Sequence, residues 1–388
     1  MDVKVVFMRS FFLTFAGVRF PVLLCLALIV GCSGGEDRTA KAEEFYQAGL
    51  QAVEQGKADE ALIHFKNAVQ QNPSHASAHF ELGMIYVRDR QPRMAVQELR
   101  MAVDIDPQLL DAKNTLATLY YVGGDFSAAV PLCESLIQQG EGTPVVFMIL
   151  GNSLVRVGRT AEAIESLTTA EELFPDNPDV KVSLAGAFFE SGQTGRARDL
   201  MERAAALSPE NLSLQLLLAG FYQRIYMDRL GEEVLRRLME EFHDQISVHL
   251  SMARFLYGQG RFQEAQKLLE NAGEQGLFHP DSFQLQGILA HRRGAAEQAL
   301  ALFNEAVERY PEDQRSLMLL ADYYVFLKDY ERARETYEKV VARWPGLSPV
   351  KARIGELLLA ERRLGDAEKQ VRELVLEHPE YAPGHLLK

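Results

Sequence analysis

Ala42–His75 reads AEEFYQAGLQAVEQGKADEALIHFKNAVQQNPSH, and its spacing of small, aromatic and turn residues returns every 34 residues along the chain. Phe45, Ala48, Gly49 and Ala52 fall three to four apart, as do Ala61, Phe65 and Ala68, which is the spacing of one apolar face on an α-helix. Between the two runs Gly56 supplies a break, because glycine takes the left-handed conformation that closes a helix at little steric cost. Asn72-Pro73 stops the second run, since proline lacks an amide proton and disfavours helix in the residue before it. The unit is expected to be a helix, a tight turn, a second helix and a stop.

Sliding by 34 gives ten units without insertion or deletion: 42–75, 76–109, 110–143, 144–177, 178–211, 212–245, 246–279, 280–313, 314–347 and 348–381. Position eight is always small, from Gly49 and Gly83 to Ala321 and Gly355. Position twenty is alanine except for Gly231, and position thirty-two is proline except for Glu141, His243 and Leu277. On these columns the chain resembles the tetratricopeptide repeat family. The resemblance implies an all-α fold, a right-handed superhelical solenoid of helix-turn-helix repeats stabilised by stacking of neighbours. Units three, six and seven depart most from the columns. Gln138–Thr143 and Asn271–Pro280, each with two glycines, are candidate hinges.

Residues 1–31 carry Lys4, Arg9 and Arg19 ahead of an uninterrupted apolar run from Phe20 to Val30, the layout of an export signal. As a helix that run reaches about 16 Å, short of the roughly 30 Å of a hydrocarbon core. An uncleaved anchor would need Arg19 inside the span. The run leads into Ile29-Val30-Gly31-Cys32, which resembles the lipobox of bacterial lipoproteins. The resemblance implies that Cys32 is the lipidated first residue of the mature chain, held stably by two or more acyl chains. Ser33 in place of aspartate favours the outer membrane, facing the periplasm. Residues 32–41 then read as the lipidated cysteine and a flexible tether, and 382–388 as a short tail.

With 41 basic and 54 acidic residues the chain has a formal charge of −13, which opposes nonspecific binding to nucleic acid. Cys133 sits at a packed helix position, and with Cys25 in the signal and Cys32 assigned to lipid no intramolecular disulfide is expected. No phosphate-binding glycine loop, serine elbow or paired-histidine zinc motif occurs, so neither catalysis nor a cofactor is expected. His75 with His79, and His243 with His249, lack the third ligand that a metal pair requires.

Membership of the family would turn positions two, five, nine, twelve and thirteen of each first helix toward the inner, concave surface. The partner-binding residues implied are Tyr46, Phe80, Met84, Arg88, Tyr121, Met148, Asn152, Arg156, Phe189, Leu216, Arg224, Leu250, Arg254, Tyr257 and Arg292. This lining is apolar for a surface and suits a segment with bulky side chains. Arg88, Arg156, Arg224 and Arg292 recur at position thirteen of every second unit. They are placed either to bind carboxylates of a partner or to complement the dipole of their own helices. The last helix bears Val371, Leu374 and Val375 with no solvating helix beyond, so self-association through the C-terminal repeat is a further expectation.

These features read together as a lipid-anchored scaffold that binds other envelope proteins for an export or surface-structure machine. The layout is similar to that of tetratricopeptide lipoproteins of exopolysaccharide export and exosortase-linked systems, and of pilus pilotins. A second reading is a carrier of exported polysaccharide or unfolded polypeptide. Polysaccharide would call for acids and amides beside the aromatics.

Overall fold

The protein is described from a computed structural model, which covers residues 33–377. The expected signal 1–31, Cys32 and the tail 382–388 lie outside the described residues. Among those described there are twenty α-helices and no strand. They fall into two compact units, Met1–Pro175 and Asp176–Lys388.

The first unit holds α1 (Ser33–Glu54), α2 (Ala58–Gln71), α3 (Ala76–Arg88), α4 (Pro92–Ile105), α5 (Leu110–Gly123), α6 (Phe126–Gln138), α7 (Pro144–Arg156) and α8 (Thr160–Leu173). The second begins with α9 (Pro178–Glu190), α10 (Thr194–Leu207), α11 (Leu212–Arg224), α12 (Asp228–Glu241), α13 (Ile246–Gly258) and α14 (Phe262–Glu274). It continues with α15 (Pro280–Arg292), α16 (Ala296–Arg309), α17 (Gln314–Phe326), α18 (Tyr330–Arg343), α19 (Ser348–Ala360) and α20 (Leu364–Glu377). From α3 onward each first helix starts on the first residue of a 34-residue unit, and each second helix on its seventeenth.

Residues 33–41, expected as a tether, are instead the opening of α1. Glycine is confined to the start of that stretch; Glu36, Arg38, Ala40 and Lys41 are good helix formers, and the fully buried Ala42 carries the helix into the first repeat.

Why position eight stays small is a matter of distance. A Cβ on Gly49, Gly83, Gly151 or Gly287 would stand 2.4 to 2.7 Å from Phe65, Leu99, Leu167 or Phe303, the residue at position twenty-four of the same hairpin. The turn that follows is equally uniform. Position fifteen is left-handed throughout the described repeats, with glycine in six and Arg90, Tyr226, Lys328 and Arg362 at φ 56° to 60° in the others.

The two stretches proposed as hinges are closed helix ends. Gly140 and Gly276 take positive φ, and the amides of Glu141 and Leu277 each bond back at 2.9 Å, to the carbonyls of Leu136 and Ala272. Glycine thus replaces the missing proline as the stop, and α6 and α14 end one residue early. In the sixth repeat Gly231 leaves room for the Ala219 carbonyl, which would lie 3.1 Å from an added Cβ.

Position four is buried in most of the described repeats, polar residues included: His79, Lys113, Lys181, Gln215 and His249 are buried, while Lys351 is half-buried. Three of these side chains reach back to carbonyls at the end of the preceding repeat, groups that a helix C-terminus leaves unpaired. His79 Nε2 meets Pro73 O at 3.0 Å, His249 Nε2 meets His243 O at 2.8 Å, and Gln215 Nε2 donates to Ala205 O at 2.9 Å. Lys113 Nζ instead donates to Ser135 Oγ and Gln139 Oε1, at 2.9 and 3.0 Å.

Candidate functional site

The face of the first helices carries the residues named above, and the structure sorts them into groups. In the first unit Tyr46 is half-buried between Phe65 and His75, with ring centroids 5.8 and 4.8 Å away. Burial raises the pKa of its phenol and that of the neighbouring Glu81 carboxyl. Phe80 packs on the core around Leu99 and Leu116, and Met84, more exposed, accepts a long hydrogen bond from Thr115 Oγ1 at 3.9 Å. Met148 is half-buried.

Further along, two predicted residues converge on one that was not predicted, and a third bonds to the first of them. Phe126, at position seventeen of the third repeat, has the Tyr121 ring edge-on at 5.8 Å and the Arg156 guanidinium over its face at 5.2 Å. Asn152 Nδ2 donates to the Tyr121 hydroxyl at 3.5 Å. In the second unit the arrangement recurs 136 residues later: Tyr257 lies edge-on to Phe262 at 5.3 Å, and Arg292 covers Phe262 at 4.0 Å. Arg224 similarly covers Phe189 at 4.4 Å, and Phe189 is edge-on to Phe221.

Three of the four position-thirteen arginines therefore lie on an aromatic ring of the preceding repeat. A guanidinium is held there by the electrons of the ring face and stays hydrated on its other side. Arg88 is the exception; nothing aromatic stands at positions twelve or seventeen of the first repeat, and it pairs with Asp89 at 3.1 Å. Among the described residues Arg156 and Arg292 have no carboxylate partner, so their outward donors face solvent.

Three expectations change, the first being that Val371 and Leu374, expected to stand partly uncovered on the last helix, are buried. Leu250 is only 4% exposed and belongs to the core with Leu235, Phe255 and Leu269, while Leu216 packs against the same core half-buried. Position five is buried at Leu250 and Ala352 and only half-buried or exposed in the other described repeats, so helical spacing alone does not place it. Arg254 is bound within the unit: it donates to Asp281 at 2.6 Å, and Arg315 reaches the same carboxylate at 3.2 Å. Aromatics at position seventeen of the repeat were the sequence signal for Phe126 and Phe262; Asp281 had none.

The His75 and His79 pair is occupied by protein, whereas in the second pair His249 Nδ1 has no hydrogen-bond partner among the described residues. His75 Nε2 lies 3.2 Å from Glu43, and His79 bonds Glu98. Among the described residues no group of three metal-ligating side chains is present, and no helix is long and apolar enough to cross a membrane.

Residues 46–109, 150–211, 250–314 and 285–348 match a family model described as tetratricopeptide repeat. The peroxisomal targeting signal receptor of Pichia angusta is 33% identical over 94 residues, 24% of this chain. The chain spans 16% of the length of that receptor. The type IV pilus assembly protein PilF of Pseudomonas aeruginosa is 22% identical over 187 residues, 44% of this chain and 73% of that protein. A solved tetratricopeptide repeat protein from Parabacteroides merdae superposes with a TM-score of 0.51 at 14% identity, over 64% of this chain and 99% of that one. That likeness is one of fold.

Proposed function

The chain belongs to the tetratricopeptide repeat family, and from that membership we propose that it is a non-enzymatic scaffold of the bacterial envelope, gathering partner proteins along the face of its first helices. The observation that carries this reading is the Tyr-Phe-Arg arrangement made by Tyr121, Phe126 and Arg156 and again by Tyr257, Phe262 and Arg292. Each places an apolar ring pair beside a guanidinium whose outward donors face solvent, which suits a segment with bulky and acidic side chains.

The address proposed is the outer membrane, through lipid on Cys32, with the repeats in the periplasm. The assembly served is proposed to be an export or surface-structure machine, a reading supported by the likeness to a protein named for type IV pilus assembly.

Photocrosslinking from position 84 in cells, followed by mass spectrometry, identifies the partner. Tyr121→Ser with Arg156→Ala should abolish its recovery while circular dichroism stays helical; unchanged recovery would move the site off this face. Incorporation of labelled fatty acid, lost in Cys32→Ser, tests the anchor separately.

A further inference from the structure

Between α15 and α17 the second unit holds a pocket of about 280 Å³. This lies just under the roughly 300–1,000 Å³ usual for small-molecule sites, which is room for a side chain and not for a cofactor. Its walls are rings. Tyr323 lies 4.8 Å from Phe303, His291 stands edge-on to Phe326 at 4.6 Å, and Tyr323 and Phe326 are 5° from parallel at 6.2 Å. His291 Nδ1 and the Tyr323 hydroxyl are 3.1 Å apart, and that hydroxyl also reaches Ala296 O at 3.4 Å. His291 Nδ1 and the Tyr323 hydroxyl are thereby engaged with each other and with backbone, which leaves ring faces and His291 Nε2 for a guest.

Asp322 is the one acid among the lining residues, and no lysine or arginine joins it. The buried phenol of Tyr337 donates to one of its oxygens and holds the carboxylate in place. Arg353 meets that phenol as well, but it is paired with Glu356 at 3.0 Å. Phe326 is 61% exposed and Ile288 38%, so the mouth opens on the face of the first helices. Aromatic faces are negative at their centres and attract cations, and the carboxylate adds charge of the same sign. A chain of net charge −13 strengthens the preference for a basic guest.

We propose that this pocket seats a basic side chain, lysine or arginine, of a protein segment lying along the face of the first helices. The proposal rests on the scaffold reading above and adds to it the sign and shape of one anchor residue. Its methylene stem lies against the rings, and its cationic head meets Asp322.

The test uses n-butylammonium, the side chain of lysine without its backbone, with butyrate and 1-pentanol as anionic and neutral controls, titrated onto the full chain in detergent by saturation-transfer NMR. Butylammonium should bind in preference to both controls. Asp322→Asn, which retains an oxygen for Tyr337, should weaken it about tenfold, and the exposed Phe326→Leu about threefold to tenfold. Equal binding of pentanol, preferred binding of butyrate, or indifference to both substitutions overturns the proposal. Circular dichroism of the variants excludes unfolding as the cause of any loss. Crosslinking from position 84 in the first unit judges the scaffold reading independently, because no residue of this pocket takes part in it.

Discussion

His79 Nδ1 lies 2.7 Å from the carboxylate of Glu98 while its Nε2 lies 3.0 Å from the carbonyl oxygen of Pro73. Both partners are acceptors, so only the doubly protonated ring donates to both. Burial by itself would lower the histidine pKa, but the Glu98 and Pro73 contacts outweigh it and the pKa stands above the ordinary value. A raised folded-state pKa gives stability that is fully present below the unfolded value, about 6.5, and is lost as pH rises through the folded one. The denaturant midpoint of the wild type is therefore expected to fall as pH rises above about 6.5, and His79→Gln should flatten that slope. Glu43, Glu232 and Asp329 have lowered pKa values, so their contributions disappear only at acid pH, outside this window.

Arg90, Tyr226, Lys328 and Arg362 occupy the turn position that is glycine in the other described repeats. A left-handed residue with a Cβ costs roughly 1–2 kcal/mol, part of which glycine returns through the entropy of the unfolded chain, about 0.4–1 kcal/mol. Tyr226→Gly, at a side chain 90% exposed, should accordingly raise stability by about 0.5–1 kcal/mol in urea melts. Gly192→Ala, at φ 80°, should lower it by a similar amount.

The fold was legible because its signals are local and recur. Pro73, Gly56 and Gly83 each act within one hairpin, and ten copies in phase make each signal unambiguous. The binding face was less so. Arg156 and Phe126 are 30 residues apart and meet only when one repeat stacks on the next, which no single-unit pattern records. The position-four side chains were hidden for a related reason. A lysine or histidine on a helix reads as solvated, and the carbonyls that satisfy His79 and His249 belong to the repeat before.

Gly151 has its missing Cβ 2.4 Å from Leu167. Gly151→Ala should destabilise the first unit by about 1–3 kcal/mol, the usual cost of overpacking. Shortening the neighbour with Leu167→Ala opens the space, so the double variant should lose less than the sum of the two single ones in a thermodynamic cycle. Strict additivity would mean that α7 and α8 do not meet at this pair.

Cys133 fills position twenty-four of the third repeat, where Phe65, Leu99 and Leu167 stand in others, and it is wholly buried. Burial, with a smaller contribution from the nearby Glu134 carboxylate, pushes its thiol up to about 12. The reactive species is the thiolate, so at pH 8 that shift alone reduces it about a thousandfold relative to an ordinary cysteine, before any steric block. In a chain carrying Cys25→Ser and Cys32→Ser, a disulfide reagent should find no thiol in the native protein and one after denaturation. The rate at low denaturant then reports the opening of α5 and α6, and Ala117→Gly, which removes a buried methyl and weakens the first helix of that hairpin, should accelerate it. Fast native labelling would require a third repeat that opens freely, which is incompatible with the packed position assigned to Cys133.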